Sequence, residues 1–167
     1  MPSHHPPVAA SAETPPRVRV LIEIPRWSFL KRGSTGVIDF VSPLPCPFNY
    51  GCVPDFIGLE GDLLDALILG PRLPLGTQVT VNAYAAIALT DRGLTDDKLI
   101  CAHRPPTAAD WRRVERFFRF YARCKALLNG YRSRPGRNAF DGWDEAGAAI
   151  ARARPRRPEW TSPPVPF

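Results

Sequence analysis

Arg17-Val18-Arg19-Val20-Leu21-Ile22-Glu23-Ile24-Pro25 shows the clearest periodicity in the chain. Val18, Val20, Ile22 and Ile24 alternate with Arg17, Arg19, Leu21 and Glu23, the period of a strand with one buried face. Glu23 is thereby assigned to the face opposite the valine and isoleucine row. Pro25 has no N–H to offer a ladder and ends the strand. After the turn Gly33-Ser34-Thr35-Gly36 a second strand is expected at 37–41. Pro43, Pro45 and Pro47 then impose an extended loop leading into Tyr50-Gly51. Further strands are expected at 65–69, buried on both faces, at 78–88, rich in Val, Thr and Tyr, and at 99–102. Short strands joined by Gly- and Pro-bearing turns point to a small closed barrel rather than a parallel sheet with crossover helices.

Helical patterning follows the strands. Thr107 and Asp110 form a capping-box pair ahead of Trp111, Val114, Phe118 and Tyr121 at helical spacing, with Gly130 as the expected stop. Arg112, Arg116, Arg119 and Arg123 share another face, which reads as solvated. A shorter helix is expected at about 144–153, introduced by Gly142-Trp143. The fold class is therefore α+β, mainly β, with two C-terminal helices beside the strands.

The 167 residues suit one domain, and 44% apolar content is ordinary for a globular chain. The 20 prolines concentrate at the ends. Residues 1–16 read as a disordered Pro-rich leader, 17–151 as the domain, and 152–167 as a basic Pro-rich tail, solvated and unstructured. The formal charge is +6, of which the ends carry about +2, so the domain itself is only mildly basic. No apolar run approaches a membrane span, and the leader lacks the apolar core of a signal peptide, so no membrane partner is expected. Cys46, Cys52, Cys101 and Cys124 have no metal-ligand spacing and read as reduced thiols in a cytoplasmic setting.

The chemistry lies in the acidic residues. Glu60, Asp62 and Asp65 crowd into Glu60-Gly61-Asp62-Leu63-Leu64-Asp65, and Asp91 and Asp96 follow, with Lys98 just behind. Carboxylates repel one another, so a fold that gathers them needs a cation among them. Oxygen donors suit Mg²⁺ or Mn²⁺, and the lysine points to a phosphate-like anion at the same place. Taken alone, an acidic cluster ahead of a strand also fits a plain polar turn.

Four segments in order decide between these readings. Ile22-Glu23-Ile24-Pro25, Cys46-Pro47-Phe48-Asn49-Tyr50-Gly51, Glu60 to Asp65 and Thr90 to Leu99 resemble motifs of the family I soluble inorganic pyrophosphatases. Phe117 to Tyr121 and Gly142 to Ala146 are similar to that family's two C-terminal helices. The resemblance implies a five-stranded OB-like closed barrel, Mg²⁺-dependent hydrolysis of pyrophosphate to two phosphates, and assembly as a homo-oligomer. It places Glu60, Asp65, Asp91, Asp96 and Glu23 about the metals, and Asp62 as general base with Tyr50 beside it. Lys31, Lys98 and Tyr121 fall where the family grips phosphate.

The chain also departs from the family pattern. The first Asp of the acidic motif is Glu60, one methylene longer, and its Pro is Leu63. Cys46 replaces a Tyr, Gly33 a Glu and Ala122 a Lys, and a phosphate-binding Arg is missing. The metal carboxylates thus survive better than the phosphate clamp. Two alternatives follow: a catalytically weak phosphate-binding or regulatory relative, and a nucleic-acid-binding barrel. The last is disfavoured because bare carboxylates repel phosphodiesters and no interleaved aromatic and basic row lies on the strands.

Overall fold

The computed structural model describes residues 14–32, 38–41, 45–91, 93–131 and 139–161, with only backbone described for 31, 32, 38–41, 91, 125, 126 and 128–131. The elements are β1 Arg17–Ile24, β2 Leu30–Arg32, β3 Ile38–Val41, β4 Asn49–Ile57, β5 Leu63–Ile68, β6 Gln78–Asp91 and β7 Leu94–Ala102. They continue with α1 Ala108–Tyr131, β8 Ala139–Asp144, α2 Ala146–Arg152 and β9 Arg154–Pro155. The leader falls outside the described residues as far as 13.

Five strands pair in a ring. β1 pairs antiparallel with both β4 and β6, β4 with β5, and β6 with β7, while β5 and β7 run parallel. β6 gives one edge to β7 and divides the other, residues 78–82 to β1 and 86–90 to β8. The expected 37–41 strand is observed over 38–41 as β3, but among the described residues it pairs with β2 in a separate two-stranded sheet and not with the ring. Its place in the ring belongs to β4, a strand not expected from the sequence, which begins where the proline-rich loop ends. Pro54 is tolerated in β4 because the register shifts between Val53 and Ile57, so its missing N–H breaks no regular ladder bond.

The alternation of β1 holds through Ile22 and then breaks. Register jumps between Ile22↔Gly51 and Ile24↔Tyr50, so Glu23 is the extra residue of a bulge. Val18, Val20 and Ile22 join Val53, Leu64, Ala66, Ile68, Val81 and Leu99 in a core supplied by every strand of the ring, with Ala146 and Ala149 of α2 packed against it. A second core forms on the outer face. There Leu67, Ile87 and Ile100 meet Trp111, Val114 and Phe118 of α1 and Trp143 of β8. Trp111 and Trp143 meet edge to face at 5.3 Å.

The capping box forms as expected. Thr107 N–H and Oγ1 donate to Asp110 Oδ2 at 2.9 and 2.7 Å, and Asp110 N–H donates to Thr107 Oγ1 at 3.2 Å. Arg112, Arg116, Arg119 and Arg123 are exposed, and Arg119 pairs with Glu115 on the same helix. Gly130 does not stop α1, which runs to Tyr131. The second helix begins two residues later than expected because 139–144 extends along β6 as β8. The basic tail, expected to be unstructured, is held down through residue 160. β9 pairs with β4, Arg156 N–H donates to Asp55 O at 2.9 Å, and Trp160 Nε1 donates to Gly61 O at 3.3 Å.

Buried Asn49 fixes the start of β4 to the segments that follow β1 and β5. Its Oδ1 accepts from the amides of Arg26 and Leu73, and its Nδ2 donates to Ile68 O and Pro71 O. A strand contact fixed by size and a helix start fixed by charge each give a test. A methyl on Gly51 would lie 1.8 Å from Leu21 O, so Gly51→Ala is expected to destabilise by about 3 kcal/mol or more in urea denaturation. Asp110 is held below its ordinary carboxylate value, first by the Thr107 hydroxyl. Its stabilising effect is therefore present above pH 3.8 and lost as pH falls through the lower folded value. Asp110→Ala is expected to cost about 1 kcal/mol at neutral pH and progressively less in acid.

Candidate active site

Register brings the first site residues together. Asp65 of β5 lies opposite Cys52 of β4 on one side and Lys98 of β7 on the other. Tyr50 is two residues before Cys52 and Asp96 two before Lys98, so both share the face of Asp65. The alternate residues Ala66 and Leu99 point into the ring, which puts this polar row on the outer face beside the α1 core.

Side-chain contacts complete the row. The Lys98 ammonium, with Lys98 only 4% exposed, bridges Asp65 Oδ2 at 2.5 Å and Asp96 Oδ1 at 2.9 Å. The Tyr50 hydroxyl donates to the same Asp65 oxygen, and Lys98 Nζ lies 5.5 Å from the centre of the Tyr50 ring. Burial opposes the lysine charge, yet Asp65 and then Asp96 outweigh it and hold Lys98 protonated well above the ordinary lysine range. Burial and the Asp65 charge push Tyr50 up, so its hydroxyl keeps its proton. Tyr121 of α1, half-buried and stacked on Phe117, acts electrostatically on both Tyr50 and Lys98.

Glu60 approaches from the turn between β4 and β5. Gly61 N–H donates to Gly58 O and Gly58 N–H to Asp62 O, closing the turn around it. Burial raises the Glu60 carboxyl to about 8, and Asp96 adds to the shift. Its Oε2 is buried and finds no hydrogen-bond partner among the described residues.

The remaining expected residues stand differently. Asp62 is exposed, and its Oδ1 accepts from Leu63 N–H at 2.8 Å. Glu23 is buried and accepts from the Cys52 thiol at 3.4 Å, next to the strand partner of Asp65. Asp91 ends β6 opposite Leu94 and Lys31 pairs with Phe40, but both side chains lie outside the described ones. Burial pushes the Cys46 thiol up to about 11, which keeps it protonated near neutral pH. Asp97 escaped the sequence reading. It is buried and paired with Arg152 at 3.0 Å, which also meets Asp144 at 2.7 Å, so it ties α2 to the sheet.

Among the described residues, no three His, Cys, Asp or Glu side chains stand together as a ready metal cage. The donor chemistry nevertheless fits a hard divalent cation. Asp65 and Asp96 already share a cation in Lys98 Nζ, and the third carboxylate has an oxygen with no hydrogen-bond partner among the described residues.

A ring of strands with carboxylates and a lysine gathered on its outer face defines a mainly-β domain equipped for cations and anions together. The profile of the family described as inorganic pyrophosphatase matches residues 20–156. The chain is 36% identical over 105 residues to an inorganic pyrophosphatase of Methanosarcina acetivorans, covering 58% of this chain and 61% of that one. It is 25% identical over 117 residues to one from Brucella melitensis, 64% of this chain and 66% of that one. The matches thus span about three-fifths of these relatives' length. Its fold resembles the inorganic pyrophosphatase structure from Thermus thermophilus at TM-score 0.66 and 23% identity, covering 87% of this chain and 91% of that one. The structure from Neisseria gonorrhoeae matches at the same TM-score and 22% identity, covering 84% and 92%. The chain belongs to the inorganic pyrophosphatase family.

The raised Glu60 carboxyl gives a signed prediction for the metal-free protein. Below pH 4.5 both folded and unfolded chains hold the proton. Between 4.5 and about 8 the unfolded chain releases it first, so stability falls as pH rises. Urea denaturation across that range is expected to show the decline, and Glu60→Gln to flatten it.

Proposed function

We propose that the chain is an inorganic diphosphatase that hydrolyses pyrophosphate to two phosphates with Mg²⁺, Mn²⁺ serving as substitute. The observation that carries this reading is the cluster of buried Asp96 and Lys98 with half-buried Asp65 and Tyr50, Glu60 against it, in a chain of this family. The closed ring of five strands is read as an OB-like barrel. Residues 17–151 form the catalytic domain, with 1–16 as leader and 152–167 as a tail, of which residues 154–156 lie on β4.

Glu60, Asp65, Asp91 and Asp96 would hold the divalent ions, with Glu23 at the edge of the site. When bound, such ions supply positive charge against the phosphate oxygens and acidify water. Asp62, exposed at the rim, accepts the proton of the attacking water. Tyr50 keeps its proton and holds the Asp65 carboxylate in orientation. Lys98, Lys31 and Tyr121 take the phosphate oxygens, and Lys98 stays charged throughout. Lys98 can turn to phosphate only when Asp65 and Asp96 have another cation as partner, which makes metal a requirement of the pairing.

No helix among the described residues is long and apolar enough to cross a membrane. A cytoplasmic setting is supported by four free cysteines. Pyrophosphate, phosphate and further copies of this chain are the proposed partners. The second reading, a catalytically weak phosphate-binding or regulatory relative, is favoured by the engagement of Lys98 with carboxylates.

Phosphate release from pyrophosphate decides between them. With Mg²⁺ at mildly alkaline pH, wild type is expected to turn over, and Asp65→Asn and Asp62→Asn to fall by about 100-fold or more. Phosphate binding without turnover over a wide range of Mg²⁺ and Mn²⁺ would establish the second reading instead.

A further inference from the structure

Glu60 stands in the middle of the β4–β5 turn, and one neighbour makes room for its head group. A methyl built on Gly58 would lie 2.6 and 2.7 Å from the two carboxylate oxygens of Glu60 and 2.9 Å from Cδ. The Glu60 head group therefore occupies the space in which any other residue at 58 would carry its Cβ. Gly58 is buried, and its amide and carbonyl are both engaged within the turn, so the backbone there has no freedom to retreat. Its φ is not in the left-handed region, so conformation alone does not demand glycine. The requirement is for space.

We propose that Gly58 is a positioning residue that sets the permitted length of the acid at position 60, admitting the Glu60 carboxylate to the cation cluster. The proposal rests on the reading of Glu60 as a metal ligand. A Cβ at 58 displaces the carboxylate from its place facing Asp96 and Asp65. An aspartate at 60 is one methylene shorter, does not extend over residue 58, and is indifferent to a methyl there. The two positions are thus coupled through one contact. Residues that touch in this way give non-additive effects when both are changed.

The test is a double-mutant cycle on the full chain, read as Mn²⁺ affinity by electron paramagnetic resonance of the free ion, with thermal melts in chelator. Gly58→Ala is expected to weaken Mn²⁺ binding about tenfold when position 60 is Glu, the usual cost of losing a residue that orients a ligand. In the Glu60→Asp background, Gly58→Ala is expected to change affinity less than about twofold. Equal effects in both backgrounds, or none in the wild-type background, would overturn the proposal. Glu60→Gln separates this from the underlying reading. If Glu60→Gln weakens Mn²⁺ binding but Gly58→Ala does not, Gly58 alone loses its role. Should Glu60→Gln leave binding unchanged, Glu60 is no ligand and both statements fall. If Gly58→Ala lowers the metal-free melting temperature by more than about 4 °C, Gly58→Ala with Glu60→Ala decides. Recovery to the melt of Glu60→Ala supports the contact, and no recovery overturns it.

Discussion

A lysine ammonium held between two carboxylates in a nearly dry setting is the constraint on which this site depends. Burying Lys98 without partners would cost several kcal/mol, and gathering Asp65 and Asp96 without a cation would set like charges against each other. Each side of the arrangement is unfavourable alone, and together they become tolerable. Such a cluster is therefore a cation site by construction, whichever cation fills it. Tyr50 adds a neutral donor to the shared Asp65 oxygen and closes one side of the row.

The ring makes that arrangement affordable by assigning its two faces different tasks. Residues pointing inward are Val, Leu, Ile and Ala from all five strands, and their burial holds the ring together. On the outward face the apolar rows under α1 run directly into the polar row of Asp65 and Lys98. Leu67 and Ile100 follow two residues after them on the same strands and are fully buried. The helix thus shields one end of the charged cluster from water, which strengthens each interaction inside it. Tyr121 stands at the boundary, stacked on Phe117 yet close enough to influence Lys98.

Much of this was legible from local pattern. Alternation located β1, short apolar runs located β5 and the end of β7, and a run rich in Val, Thr and Tyr located β6, because strand burial writes itself into the local sequence. The capping box at Thr107 and Asp110 was legible because its hydrogen bonds join residues three apart. β4 was not, because prolines near its start and within it mask a strand whose bulge accommodates them. Tail residues 154–160 were misread for a related reason: their partners, Asp55 to Ile57 and Gly61, lie far away in sequence, and composition alone resembles a disordered end. Asp97 looked like one more member of an acidic run, yet it occupies the strand face opposite its neighbours and pairs with Arg152.

The sequence by itself determined which side chains are available and their order: carboxylates at 60, 62, 65, 91 and 96, a lysine at 98, and strands with one apolar face on which to mount them. Only the tertiary structure decided which of them meet. The parallel pairing of β5 with β7 sets Asp65 against Lys98, while Asp62, three residues from Asp65, remains at the exposed rim. The reason is that strand register is a long-range property. It is set when the ring closes, by bulges and by close approaches such as Gly51 on Leu21, and no short segment contains that information.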